Sequence, residues 1–164
     1  MPVQSLLKPE VKELLDKSIA SELYASNLYK HIAAQIQRAG YFGTQKFFEK
    51  ESAEEIEHYY ILRNYINDMG SVAATPQVDA ITDFVGGIGT ALNLAYDTER
   101  MLLMQYQEIY ESIEDDMKDC ITGQFLLQFI EIQRKAVGMY GDLISRFEKA
   151  PMDVLEFDEH IGKL

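Results

Sequence analysis

Apolar residues recur at helical spacing along most of the chain, and glycines and prolines divide this pattern into segments. At about 100° per residue, the period predicts long helices over about residues 9–38, 44–69 and 122–149, and another that starts somewhere between residues 82 and 90 and ends at about residue 116. Pro9 suits the first turn of the first helix. Gly40, Gly70 and Pro151 stand where three of the helices should end. The start of the third helix is less defined, because three glycines fall near it.

The connections between these segments predict how the helices are arranged. Short turns near residues 39–43 and 116–121 should join antiparallel neighbours. The stretch from Gly70 to Thr82 has no helical period, and about 12 extended residues can reach roughly 40 Å, the length of a helix of about 27 residues. We therefore expect a long crossover that leaves helices two and three parallel. A short fifth helix over about residues 152–164 completes one predicted domain, residues 1–164, of the all-α four-helix-bundle class.

Each of the four long predicted helices carries a polar residue in the middle of its apolar stripe. The central residues are Glu22 on the first helix, Glu51, Glu55 and His58 on the second, Glu99 on the third and Gln133 on the fourth. The stripes around them are Leu15, Ile19, Ser26, Tyr29 and Ala33; Phe48, Leu62 and Ile66; Leu92, Tyr96, Leu103, Tyr106 and Tyr110; and Leu126, Ile130, Val137, Tyr140 and Ile144. The polar breaks fall near the middle of each helix, so they should meet in the core.

Several carboxylates in one core predict a bound cation. A buried carboxylate without a partner costs several kcal/mol or takes up a proton. Glu55 and His58 lie three residues apart, so an oxygen and an imidazole nitrogen can reach one ion at the bundle axis. Carboxylates with one histidine and one amide suit iron or manganese better than a metal that prefers thiolates. Glu55 could bridge two such ions.

Other interpretations of these residues stay open at this point. A Glu-x-x-His spacing is common by chance, and Glu22 or Glu99 could instead be satisfied by tyrosine hydroxyls. Glu51 could stand behind the metal ligands or be a partner for the tyrosines. Glu49, Glu54 and Glu57 are predicted to be solvated surface residues, while His31 and His160 lack a partner pattern and should be structural or exposed.

Composition and charge narrow the class of protein further. The 164 residues carry a formal net charge of -12, which disfavours nucleic acid and anionic lipid but attracts small cations. No apolar run is long enough for a transmembrane helix, and the first residues lack a secretory pattern, so we expect a cytoplasmic protein without a membrane partner. The single cysteine, Cys120, cannot form an internal disulfide.

The chain resembles the ferritin family over nearly its whole length, and five stretches carry this resemblance. SELYASNLY is similar to the first-helix motif, EEIEH to the second-helix Glu-x-x-His, and YDTER to the third-helix glutamate motif. DCITGQFLLQFIEIQ resembles the turn into the fourth helix of bacterial non-haem ferritins. VLEFDEHIGKL resembles the short fifth helix at the four-fold axis of the 24-subunit shell. The resemblance makes the expected bundle ferritin-like.

The resemblance implies a function and a role for each matching residue. Glu22 and His58 would hold one iron, Glu99 with Gln133 the second, and Glu55 would bridge them. Tyr29 matches the tyrosine beside this centre, so it joins those five among the candidate catalytic residues. The implied activity is that of a ferroxidase, which oxidises Fe(II) with O2 or H2O2 and stores the ferric product as mineral inside a homo-oligomeric shell, of 24 subunits by this resemblance.

The chain also departs from relatives within the family. Ala136 stands where a second Glu-x-x-His would end, which is unlike bacterioferritin, and Ile56 replaces the haem-ligating methionine, so no haem is expected. An accessory third iron site is predicted to be absent, because the acidic residues that would form it are replaced. The replacing residues are Ile132, Arg134, Lys135 and Ala136.

Two alternatives and one access route remain as hypotheses. A di-iron oxidase or peroxidase without a storage role would share the centre but need no shell, and a metal-free bundle would make the polar breaks coincidental.

Iron is attracted by acidic surface, and the densest acidic run lies at the turn before the fourth helix. This run consists of Glu114, Asp115, Asp116 and Asp119.

Overall fold

A computed structural model describes residues 3–149 and 153–164 of the chain, and every element in these ranges is helical. The five helices are α1 (Pro9–Arg38), α2 (Phe42–Asp68), α3 (Ile88–Ser112), α4 (Cys120–Lys149) and α5 (Val154–Ile161). The predicted segments are confirmed, with α2 and α4 each beginning two residues earlier than expected. The predicted first residue of the fifth helix, position 152, lies outside the described residues. Within the described ranges, no helix is both long and apolar enough to cross a membrane.

Local chemistry explains where the helices begin and end. Pro9 occupies the first turn of α1, where its missing N–H costs no hydrogen bond. Gly40 and Gly70 adopt positive φ angles of 91° and 83° just after α1 and α2, as glycine does most readily. After α3, one π-helical turn (Ile113–Met117) ends at Lys118, whose φ is 53°. The third helical segment therefore extends to the predicted end near residue 116, but with altered geometry.

Two core clusters establish how the long helices are oriented. One cluster joins the N-terminal halves of α1 and α4 to the C-terminal halves of α2 and α3. The other joins the C-terminal halves of α1 and α4 to the N-terminal halves of α2 and α3, and it includes residues of α5. α2 and α3 are therefore parallel, as the crossover predicted, and both run opposite to α1 and α4. The polar residues at mid-helix lie between the two clusters.

The crossover from α2 to α3 runs beside α1 and is held there by polar side chains. Near its beginning, the backbone N–H of Ala74 donates to Asp16 Oδ1 at 2.9 Å. Near its end, the N–H of Val85 donates to Gln35 Oε1 at 2.8 Å, and a ring nitrogen of His31 lies 2.7 Å from the Asp83 carbonyl oxygen. Asp16 and Gln35 are 19 positions apart on α1, about 29 Å along its axis. His31 thus has a structural role.

Helix α5 is attached to the N-terminus of α2 by a carboxylate and two glycines. Asp158 accepts hydrogen bonds from the backbone N–H groups of Gly43, at 3.0 Å, and Thr44, at 2.7 Å, and also from the Thr44 hydroxyl. These N–H groups have no partner within α2 itself, so Asp158 caps that helix from another element. A Cβ at Gly43 would lie 1.9 Å from the Asp158 carbonyl oxygen, and one at Gly162 would lie 2.7 Å from the Gly43 Cα.

The predicted stripes on α3 and α4 need a correction of about one residue in phase. Six residues that were expected in the core are only half-buried: Tyr96, Leu103, Tyr110, Ile130, Val137 and Ile144. On α3 the buried face instead includes Ala95, Leu102 and Ile109. The small Ala95 is fully buried, whereas the larger Tyr96 lies at the edge of the stripe. That the chain forms a single domain stays a prediction.

Candidate metal centre

Three of the predicted residues converge between the two core clusters. One oxygen each of Glu22 and Glu55 and one ring nitrogen of His58 all lie within 4.8 Å of one another. His58 Nδ1 is 3.0 Å from Glu55 Oε2 and 3.4 Å from Glu22 Oε2. Glu22 is fully buried, Glu55 is 4% exposed, and the His58 side chain is 14% exposed. Nitrogen and oxygen donors this close can bind one cation together.

A serine pair brings α1 and α2 together beside this cluster. Ser26 lies one turn after Glu22, and Ser52 lies one turn before Glu55. Their hydroxyl oxygens are 3.0 Å apart, and each hydroxyl donates to the other residue's carbonyl oxygen at 2.9 Å. Small side chains that bond across the two helices allow a close approach of the backbones. The spacing places Glu22 and Glu55 on facing surfaces.

Three carboxylates of the core are each bonded to a tyrosine from another helix. Tyr106 donates to Glu22 Oε1, and Tyr29 donates to Glu99 Oε1. Tyr140 donates to Glu51 Oε2 at 3.2 Å. All three tyrosines are fully buried, and burial together with nearby carboxylates raises the pKa of each phenol well above 10. The hydroxyls therefore stay protonated and donate, which fixes the carboxylate orientations.

Four buried polar atoms at the centre make no hydrogen bond within the described residues. They are Glu22 Oε2, Glu99 Oε2 and both side-chain polar atoms of Gln133. Leaving such groups unsatisfied costs about 1–3 kcal/mol each, more for a charged group, so native cores avoid it unless another ligand supplies the partner. The tyrosines satisfy one oxygen of Glu22 and one of Glu99 and leave the other free. A cation would satisfy the oxygens.

Glu99 and Gln133 are buried at the same level but stand outside the compact group of three. Glu99 is 1% exposed, and Gln133 is fully buried. Gln133 lies between Phe129, whose ring contacts the rings of His58 and Tyr106, and Tyr140, which bonds to Glu51. Its amide therefore faces the region that the predicted ligands surround. The assignment of Glu99 and Gln133 as metal ligands stays a prediction.

Burial and mutual contacts shift the acid–base behaviour of the compact group. Burial raises the pKa of Glu55 far above 4.5, and its contact with Glu22 adds to that shift. Burial alone would lower the pKa of His58, but close contact with Glu22 and Glu55 and the attraction of their charges outweigh it and raise this pKa to about 10. For Glu22, burial is outweighed by its contacts with His58 and Glu55, so its pKa is lowered. At neutral pH the metal-free group thus holds protons on Glu55 and His58 beside an ionised Glu22.

An open cleft of about 400 Å3 connects this centre to the surface. Its inner wall includes Glu51, Glu55, His58 and Glu99. The outer lining consists of Lys50, Glu54, Ile132, Lys135, Ala136 and Met139. This opening is therefore lined by three of the residues that replace the acidic residues of an accessory third iron site: Ile132, Lys135 and Ala136. Ions can reach the buried carboxylates from this side.

Sequence reasoning left open that tyrosine hydroxyls bond to the buried glutamates, but it did not identify Tyr106 and Tyr140 as the partners of Glu22 and Glu51. A signal was present, because both tyrosines lie on stripes that face the predicted glutamates. Glu51, left open between two roles, is 7% exposed and bonded to Tyr140. By contrast, the surface placement of three glutamates agrees with the structure, where they are exposed: Glu49, Glu54 and Glu57.

The remaining candidates lie away from the centre. Cys120 is an exposed free thiol, and a ring nitrogen of His160 lies 2.9 Å from an Arg146 guanidinium nitrogen. In the acidic run, Asp115 and Asp116 are exposed. Asp119 instead caps α4, since it accepts from the backbone N–H and the hydroxyl of Thr122 at 3.1 and 2.7 Å.

The fold and the buried cluster define a class of protein, a four-helix bundle built around carboxylates and a histidine. The family model described as the ferritin-like domain matches residues 12–150. The chain belongs to the ferritin family, and the predicted likeness to bacterial non-haem ferritins is confirmed.

Similar proteins cover almost the full chain at low identity. A probable bacterial non-heme ferritin-like protein of Haemophilus influenzae is 26% identical over 162 residues, which is 97% of this chain and 98% of the relative. A bacterial non-heme ferritin of Bacteroides fragilis is 24% identical over 96% of this chain and 99% of its own length. An open pore ferritin of Archaeoglobus fulgidus superposes with a TM-score of 0.90 at 19% identity, over 95% and 96% of the two chains. This last likeness shows the shared ferritin-like fold.

Proposed function

We propose that this chain oxidises Fe(II) to Fe(III) at a two-iron centre inside the subunit and stores the product as ferric mineral within a homo-oligomeric shell. The family and the fold support an iron-storage, ferritin-like protein. The observation that carries the oxidation step is the set of buried polar atoms left without hydrogen bonds at one level of the bundle. Iron is the substrate here, and these atoms would bind it.

The geometry supports a division of the ligands between two ions. Glu22 and His58 would hold the first ion, because their donor atoms lie in the compact group with Glu55. Glu99 and Gln133, whose free oxygens lie at the same level, would hold the second. Glu55 would be shared, since it belongs to the compact group with Glu22 and also lines the same cleft as Glu99.

The chain would supply charge compensation and proton transfer for the reaction. Two Fe(II) ions release two electrons, which with two protons reduce O2 to H2O2, or reduce H2O2 to two water molecules. Negative carboxylates favour Fe(III) over Fe(II), which lowers the barrier to electron loss. Glu55 and His58 must lose their protons when iron binds, because only the deprotonated groups are ligands. Tyr29 would hold Glu99 in place by its hydrogen bond.

Assembly and location follow the family as part of the proposal. A shell of 24 subunits and the absence of haem are carried over from the resemblance, whereas the cytoplasmic location is carried over from the sequence expectation. The attachment of α5 to α2 supports a fifth helix held in a defined position, as a subunit contact would require. A di-iron oxidase without storage would share the centre but remain a small particle.

An anaerobic Fe(II) titration followed by an oxygen pulse, on protein separated by size, tests this function. We expect two Fe(II) oxidised rapidly per subunit by a large closed oligomer. Glu55→Ala should impair both ions and His58→Ala mainly one. The matched controls are Glu57→Ala, which is exposed on the same helix, and His31→Ala on α1, and both should oxidise iron normally. Full two-iron oxidation by Glu55→Ala and His58→Ala would refute the centre, and a monomer or dimer with full activity would favour the oxidase.

A further inference from the structure

Glu51 lies one helical turn before Glu55 and faces the same space. It is 7% exposed, yet it lines the cleft together with Glu55, His58 and Glu99. A glutamate on the outside of α2 would be solvated, as Glu54 is. Glu51 instead places a carboxylate at the inner end of the cleft.

The contact between Glu51 and Tyr140 repeats an arrangement found at two other carboxylates of the core. Tyr106 donates to Glu22, Tyr29 donates to Glu99, and Tyr140 donates to Glu51. In each pair the tyrosine comes from a different helix and engages one carboxylate oxygen. The second oxygen stays available for another partner. Glu51 is thus held in the same way as two residues of the proposed centre.

Both proposed ligands of the second ion, Glu99 and Gln133, have buried polar atoms without a hydrogen bond among the described residues. Glu99 lines the cleft, and its Oε2 atom is buried without a hydrogen bond among the described residues. The Gln133 amide is fully buried with both polar atoms unpaired, and it lies two turns before Tyr140 on α4. The charges of Glu51 and Glu99 are close enough to repel each other. Two carboxylates and an amide oxygen so placed form an oxygen-rich site.

We propose that Glu51 is a further ligand of the second ion, which it binds together with Glu99 on the side of the cleft. This role rests on the two-ion centre of the proposed function. Each ion would have two residues of its own and a share of Glu55, but the second ion has the weakly binding amide of Gln133 where the first has the imidazole of His58. Glu51 would add a carboxylate to the ligands of the second ion, on the side that faces the cleft.

Co(II) binding to the metal-free, fully assembled protein tests this role without any oxidation of iron. Titrations followed by calorimetry and by Co(II) visible absorption count the ions and separate their affinities. Glu51→Gln keeps the size of the side chain and the acceptor for Tyr140 but removes the charge. Glu54→Gln is the matched control, because Glu54 lies in the same cleft and is exposed. Tyr140→Phe keeps the carboxylate but removes the hydroxyl that orients it.

We expect two Co(II) ions per subunit in the wild type and in Glu54→Gln. Glu51→Gln should weaken the second ion by about 100-fold and leave the first within about twofold, while Tyr140→Phe should weaken the second by about 10-fold. Because Glu51 and Glu99 would share one ion, Glu51→Gln should add little to the effect of Glu99→Gln.

Other outcomes would overturn the role of Glu51 in distinguishable ways. Two ions with unchanged affinities in Glu51→Gln would remove Glu51 from the site while leaving the two-ion centre intact. Equal weakening of both ions would show a structural effect on the whole cluster. Three ions in the wild type and two in Glu51→Gln would assign Glu51 to a separate site. A wild type that binds no Co(II) would refute the proposed centre itself.

Discussion

The metal-free protein should lose stability as the pH rises above neutral, because its buried centre stores protons. The folded state raises the pKa of His58 from 6.5 to about 10. A histidine with a raised pKa contributes stability that is complete below about pH 6.5 and is lost as the pH rises through about 10. Glu55 acts in the same direction, since its pKa is raised and the folded state binds a proton that the unfolded chain releases. Stability should therefore fall steadily from pH 7.5 to pH 9.5.

The size of this effect follows from the number of protons involved. One proton bound only by the folded state changes the free energy of unfolding by about 1.4 kcal/mol per pH unit. His58 supplies one proton and Glu55 up to one more, so the slope should be about 1.4–2.7 kcal/mol per pH unit. For a chain of this length, that corresponds to a fall in melting temperature of roughly 3–11 °C per pH unit. Glu51, whose pKa burial raises only to about 7, is largely ionised in this range and adds little.

Calorimetric melting of chelator-treated protein between pH 7.5 and 9.5 measures the slope. Glu55→Gln should reduce it by up to about 1.4 kcal/mol per pH unit, because a neutral amide resembles the protonated acid and can still accept from His58. At pH 9 this variant should therefore melt above the wild type. Protein loaded with Co(II) should show a smaller slope, since bound ligands are already deprotonated.

The control is Glu57→Gln, which removes an exposed charge from the same helix and should keep the wild-type slope. A melting temperature that stays constant or rises with pH in metal-free wild type would refute the claim that the folded state keeps protons on Glu55 and His58. An identical slope in Glu55→Gln and wild type would show that Glu55 holds none of them.

Three further predictions concern parts of the fold away from the centre. Asp158→Ala should destabilise the protein by about 2 kcal/mol, measured by calorimetry, because α2 loses its cap; an unchanged melting temperature would contradict this. Removing residues 153–164 should disturb assembly, measured by size-exclusion chromatography, more than helix content, measured by circular dichroism; intact oligomers would assign assembly elsewhere. Neutralising the exposed Asp115 and Asp116 to asparagine should slow iron uptake and reduce its sensitivity to salt between about 20 and 200 mM, because charge attraction is screened over about 10 Å at 0.1 M; unchanged kinetics would place iron access on another surface.

The sequence by itself determined the helices, their order and the residue types at the centre. Helical periodicity is local, so the apolar stripes and the glycines at residues 40 and 70 were enough to predict four long helices. The crossover length predicted the parallel pair, because about 12 extended residues can span the bundle. The polar breaks at Glu22, Glu55 and Gln133 predicted a shared site because buried carboxylates need partners.

Only the tertiary structure decided which side chains touch one another. The phase error at Tyr96 arose because periodicity gives the direction of a stripe but not the neighbour that covers its edge. Tyr140 and Glu51 lie 89 positions apart, so no local pattern could pair them. The Asp158 cap likewise depends on α5 folding back onto α2. Hydrogen bonds within 3.5 Å depend on backbone positions that are fixed only once all the helices pack. The packed helices also determine which carboxylate oxygens at the centre lack a hydrogen bond and which groups there bind protons.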